Sequence, residues 1–202
     1  MLIYKGDSTL CGGGVIPAGR LGGNRHPRRI GYGDVDMSLI EFASLRQSHP
    51  VDMIEWVAAA REWAFERSGD DEIAVAVAGV WTDYSVSFSW LENIEALHLG
   101  CAFDLKIPAH RRSEVLRLLA LINEKLLVGH FDLWQQEGAV MFRHALLLSG
   151  GAEPTSQQAE RMLATALESC ERFYQAFQFV VWADKMADDA LACAIFETEG
   201  EA

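Results

Sequence analysis

Between residues 49 and 105 the apolar positions change their period from helical to alternating. Met53, Trp56, Val57, Ala60, Trp63 and Ala64 recur at helical spacing behind Pro50, which suits a first helical turn, so the spacing predicts a helix from Pro50 to about Arg67. Ser68, Gly69, Asp70 and Asp71 end it. The run Glu72 to Ala78, EIAVAVA, then sets Ile73, Val75 and Val77 against alanines and predicts a strand. From Thr82 to Leu91 the alternation is strict: Tyr84, Val86, Phe88 and Trp90 share one face, Asp83, Ser85, Ser87 and Ser89 the other. Ala96 to Leu105 repeats it, with Leu97, Leu99, Cys101, Phe103 and Leu105 opposite Ala96, His98, Gly100, Ala102 and Asp104. Three such strands in succession predict an antiparallel meander.

After Pro108 the helical period returns. Val115, Leu118, Leu119, Ile122 and Leu126 form one stripe on a helix expected from about Ala109 to Leu127. Phe131 and Leu133, a turn at Gln136, Glu137 and Gly138, then Val140, Phe142 and Leu146 predict a hairpin. Gly150, Gly151 and Pro154 close the sheet. Thr155 and Gln158 make a capping box ahead of a long apolar stripe through Ala159, Met162, Leu163, Cys170, Phe173 and Phe177, so a third helix follows, with a bend expected between Ala176 and Phe179. The order α-β-β-β-α-β-β-α predicts an α+β fold: a five-stranded antiparallel sheet with helices packed on one face.

The first 36 residues fit none of this. They hold nine of the seventeen glycines, show no helical or strand period, and contain no GK[ST] or well-placed GxGxxG that would make a phosphate loop. Residues 1–48 are therefore expected to be a flexible glycine-rich extension, and residues 49–202 a single domain. Translation is expected to start at Met37, which leaves 166 residues. The whole chain, 202 residues with 50% apolar composition and six tryptophans, has enough apolar side chain for a substantial core, which excludes intrinsic disorder.

Charge sharpens the division. The extension carries +2 and the remaining residues −14. So acidic a body is repelled by phosphodiester backbones and anionic membrane surfaces, and no apolar run of about 18 residues is present, so neither nucleic acid nor membrane is expected as a partner. Arg25, Arg28 and Arg29 in the extension are read as solvated. Cys11, Cys101, Cys170 and Cys193 lie far apart without a CxxC pair, which reads as small buried hydrophobes in a reducing compartment. No secretory signal is visible, and a cytoplasmic location is expected.

No arrangement of residues announces a reaction. His98 and Asp104 share one strand face, His130 and Asp132 another, and His144 lies on the strand after them, but HxH and HExxH are absent. There is no GxSxG for a nucleophile. The acidic groups Asp70, Asp71, Glu72 and Asp184, Asp188, Asp189 lack the DxDxDG loop of a calcium site and read as solvated helix ends. Arg111 and Arg112 begin the second helix against its dipole and invite an acidic partner. Trp56, Trp63, Trp90, Trp134 and Trp182 are assigned to the core. Trp81, beside Gly79 in a turn, is expected to be partly exposed and to anchor a partner.

The motifs EWAFERSGDDEIAVAVAG, WTDYSVSFSW, ALHLGCAFDLKIP, GHFDLW, VMFRHALLLSGGAEPT and FQFVVWADK resemble the YbjN family of bacterial sensory transduction regulators, and the element order resembles the type III secretion chaperone-like fold. The resemblance covers about Ser48 to Gly200. The glycine-rich first 36 residues depart from it, in keeping with the Met37 start. It implies a non-enzymatic regulatory or chaperone-like protein in bacterial signal transduction or stress response, with no catalytic residue to carry over and no cofactor. Chaperones of this fold are small, acidic and dimeric, and present sheet and helix surfaces to extended client segments, so a protein client and a homodimer are the implied partners. An unpaired sheet edge is a template for an added strand. The expected binding residues are Trp81, Ser85, Ser87, Ser89, His98 and Gly100. A solvated face is the plain alternative. The other functional reading is a small-molecule sensor or an unrecognised enzyme using the polar side of the sheet.

Overall fold

The structure, a computed structural model, describes residues 48–199, with side chains described through Ile195. The Met37 start, Cys11 and the arginines of the extension lie outside the described residues. The elements are α1 (Pro50–Ala60), β1 (Ala64–Arg67), β2 (Glu72–Ala78), β3 (Asp83–Leu91), β4 (Ala96–Lys106), α2 (Arg112–Asn123), β5 (His130–Trp134), β6 (Ala139–Leu147), α3 (Ser156–Trp182) and α4 (Ala187–Glu199). Six strands, all antiparallel to their neighbours, lie in the order β1-β2-β3-β4-β6-β5. The fold is α+β, with one strand more than the sequence predicts.

The extra strand comes from the expected end of α1. That helix buries Val51, Ile54, Val57 and Ala58, a stripe out of phase with the predicted one, and Trp56 is 62% exposed rather than in the core. Arg61 leaves helical geometry and Glu62 takes a positive φ of 57°, which turns the chain back. Ala64–Arg67 then pairs with β2, and Arg67 ties the intervening turn through Nε to Gly69 O (2.9 Å) and Nη2 to Asp70 O (2.8 Å). Asp70 and Asp71 thus belong to a hairpin turn, not a helix end. A four-residue run of mixed polarity is too short for periodicity to separate strand from helix.

Alternation is regular along β3, whereas β1 is almost wholly exposed and β6 also buries Met141 on the opposite phase. Ile73, Val75, Tyr84, Val86, Phe88, Leu97, Leu99, Cys101, Phe131, Leu133, Val140 and Phe142 are buried on the face that the helices cover. Phe103 and Phe131 meet Tyr174, Phe173 and Phe177 of α3 at ring separations of 5.3 to 6.1 Å, which locks helix to sheet.

α3 starts at the predicted capping box, where Thr155 Oγ1 accepts the Gln158 N–H. It runs unbroken past Ala176–Phe179, because Phe173, Ala176, Phe177 and Val180 keep one continuous buried face. The break falls at Asp184, with φ of 52°, and leaves Trp182 65% exposed rather than in the core. Arg111 does not oppose its own helix. Its Nε and Nη2 donate to Val180 O and Lys185 O, both at 2.7 Å, and so satisfy one carbonyl in the last turn of α3 and one in the α3–α4 connection. Glu114 of α2 accepts the Ala187 N–H at 2.6 Å and opens α4.

Candidate functional site

The face of the sheet away from the helices is built by the second phase of the same alternation. β2 contributes Ala74, Ala76 and Ala78, β3 contributes Ser85, Ser87 and Ser89, and β4 contributes His98, Gly100 and Ala102. Register places Ser85 opposite Ala102, Ser87 opposite Gly100 and Ser89 opposite His98. Five of the six expected binding residues therefore lie side by side on two adjacent strands. Ser85 is exposed, Ser87, Ser89 and His98 are half-buried, and Gly100 is buried. Ser87 Oγ donates to Gly100 O at 3.3 Å. A Cβ at Gly100 would stand 3.2 Å from Ser87 Oγ and 3.9 Å from Met141 Cε, so neighbouring side chains close around this position.

Trp81 is the sixth. It stands in the β2–β3 turn, at the end of the sheet rather than on its face, and is 45% exposed. That turn is held in two ways: Gly79 N–H donates to Thr82 O (3.0 Å), and Val80 N–H donates to Glu171 Oε1 of α3 (2.6 Å). Beneath it the Tyr84 hydroxyl is buried beside the Glu171 carboxylate. Burial first, and the nearby Glu171 carboxylate second, push the Tyr84 proton's release well above its ordinary range.

β5 and β6 extend the face with a polar group. Arg143 pairs across from both Gly100 and His130. Its Nη1 meets Asp132 Oδ2 at 3.1 Å and its Nε donates to His98 Nε2 at 3.3 Å. Asp132 Oδ1 accepts the Leu133 N–H at 2.8 Å. Burial, then the charges of Arg143, His130 and His144, lower the His98 pKa to about 4. A ring that accepts at Nε2 while neutral carries its proton on Nδ1. The group is thus a cation balanced by one carboxylate and held beside a neutral imidazole.

Arg143 is the residue that sequence reading passes over. Its signal was its phase, since it alternates with Phe142 and His144, but its partner His98 lies 45 residues away and only the β4–β6 register joins them. His144 takes the opposite phase and points to the helical side, across from Leu99. Asp104 lies within the irregular stretch between Ala102 and Lys106. Arg143 joins His98 to Asp132, but among the described residues no group of three or more His, Cys, Asp or Glu is placed to hold a metal. Of the acidic clusters, Asp71 meets His49, Asp184 meets Arg111 and Asp188 meets Arg117.

Residues 50–179 match the YbjN family, described as "Putative bacterial sensory transduction regulator". Similar solved structures include the following. YbjN from E. coli has 10% identity over 60% of this chain and 85% of its own, with a TM-score of 0.45. The ExsC-ExsE complex has a chain with 16% identity over 60% of this chain and 88% of its own, with a TM-score of 0.38. No curated protein matches.

Proposed function

The chain belongs to the YbjN family, and from that premise we propose that it is a non-enzymatic regulatory or chaperone-like protein of bacterial signal transduction or stress response, acting by binding another protein. The observation that carries the reading is the surface made by Ala74, Ala76, Ser85, Ser87, Ser89 and Ala102 on three adjoining strands, clear of every described helix. Small side chains let a second backbone approach the sheet closely, and the serine hydroxyls offer it hydrogen bonds. At one border of this surface Arg143 and His98 supply charge and a polar ring. At its end the rigid turn presents Val80, 83% exposed, and Trp81 as apolar anchors. Ser85, Ser87, Ser89, His98 and Gly100, with Trp81, are the proposed contact group, and no cofactor takes part.

The proposed setting is the cytoplasm, with a homodimer as the proposed assembly. No described helix is long and apolar enough to cross a membrane. The test is native mass spectrometry of the protein purified from its own cells, beside the double variant Ser85→Arg, Ser89→Arg. A protein partner bound to the wild type and lost from the folded double variant is the expected result. A retained small molecule, with no protein partner, would transfer the face to a sensor or enzyme.

A further inference from the structure

The two borders of the sheet differ in a way that selects a docking edge. At β5 the outward backbone of Phe131 is occupied: its N–H donates to Asn123 Oδ1 (2.8 Å) and its C=O accepts from Asn123 Nδ2 (3.0 Å). At β1 no described element lies beyond the strand. Ser68 N–H donates to Glu72 O, and in an antiparallel ladder this makes Glu66–Ala74 and Ala64–Ala76 the hydrogen-bonded pairs. Phe65 and Arg67 consequently turn their N–H and C=O groups away from β2. β1 is short and charged, but it carries no proline and no bulge, so its outward N–H and C=O groups are not removed from pairing.

The chemistry around this border is one-sided. Its cations are spent within the protein, Arg67 on Asp52 (2.7 Å) and Glu55 (2.6 Å) and Arg61 on Glu160 (3.0 Å). Glu62, Glu66, Asp70 and Glu72 have no cationic partner among the described residues. A second copy pairing β1 with β1 would bring like charges together, which costs free energy. On the helical side of the border Phe65 is 38% exposed, and neighbouring α1 exposes Trp56.

We propose that β1 is the strand-addition edge of this protein, and that it takes an extended polypeptide segment in which Lys or Arg alternates with apolar residues. The basic side chains fall on the side of Glu66 and Glu72, and the apolar ones on the side of Phe65, because a strand's side chains alternate between faces. This rests on the partner-binding reading above and names the chemistry of the partner segment.

The probe is a ten-residue peptide alternating lysine with valine, set beside its glutamate-valine counterpart, added to the full chain. Fluorescence anisotropy should show binding of the basic peptide alone, weakened about tenfold or more by Glu62→Lys with Glu66→Lys. Hydrogen exchange should show new protection at the Phe65 and Arg67 amides when the peptide binds. Phe65→Pro removes an outward N–H that β2 does not use, so the sheet should persist, by circular dichroism, while binding is lost. Equal binding of both peptides, no binding of either, or basic-peptide binding without protection at Phe65 and Arg67 overturns the proposal. Protection at Phe65 without peptide also overturns it: if it grows with protein concentration the occupant is a second copy, and if not, the chain's own residues 1–47. A partner lost from the Ser85→Arg, Ser89→Arg variant but kept by Phe65→Pro would overturn this edge and leave the partner-binding reading standing.

Discussion

The side-chain amide of Asn123 faces the backbone of Phe131 as a strand would, giving one hydrogen bond to its carbonyl at 3.0 Å and taking one from its N–H at 2.8 Å. One residue at the end of α2 thereby closes an edge that would otherwise extend the sheet. Asn123→Ala leaves two partly buried backbone groups unpaired and should cost about 1 to 3 kcal/mol in urea unfolding. It should also raise aggregation at high concentration, since an uncovered edge pairs with other chains. Asn123→Asp keeps the acceptor for the Phe131 N–H but sets a carboxylate oxygen against the Phe131 carbonyl, so it should destabilise as well.

Gly79→Ala probes the turn that carries Val80 and Trp81. The new Cβ would run into Glu171 Oε1 and the Tyr84 ring, and would lie 2.7 Å from Thr82 O. Backbone and packed ring give way poorly, so a loss of about 1 to 3 kcal/mol is expected in thermal or urea unfolding. Trp81 fluorescence should shift as the turn leaves Glu171. An unchanged midpoint would mean that Glu171 does not hold the turn.

Acid should weaken the fold through His98. Its native pKa is lowered from 6.5 to about 4, so between those values the unfolded chain binds a proton that the native ring does not. The stabilisation is complete above about pH 6.5 and is lost progressively as pH falls toward 4. Partial exposure of the ring keeps the loss below about 3 kcal/mol. His144, lowered by burial, acts in the same direction. His98→Gln should flatten this part of the stability profile, and NMR titration of the His98 ring should give a midpoint well below 6.

The same register that joins His98 to Arg143 explains what was legible in the sequence. β2, β3 and β4 are legible residue by residue because apolar and small or polar residues alternate along each sequence, and that alternation alone sets the serines of β3 on one face. β1 escaped because AFER is too short to show a period and follows a helix directly. The apolar character of Trp56 and Trp182 points to the core, but the burial phase of each helix is set by Val57 and Val181 beside them. The ion pair of Arg143 with Asp132 depends on which strands become neighbours, and β6 inserting between β4 and β5 is a property of the whole sheet.

Cysteine chemistry gives a separate check on the helical side. Cys101 of β4 and Cys170 of α3 are fully buried with their sulfurs 3.6 Å apart, and burial, reinforced by Cys101, raises the Cys170 thiol well above its usual range. Both should resist iodoacetamide in the native state and react only on unfolding. Of the three described cysteines, Cys193, half-buried on α4, should label first. Peptide mapping after a short native pulse reads this directly.

The central claim is that partners meet the helix-free face of the sheet. Its most direct measurement is photo-crosslinking in living cells with a benzophenone amino acid placed at Ser85, which is exposed on that face, and separately at Leu116, which is 46% exposed on α2. A discrete protein adduct from position 85, absent from position 116, is the predicted result. Adducts from position 116 alone, or from neither position, would contradict it.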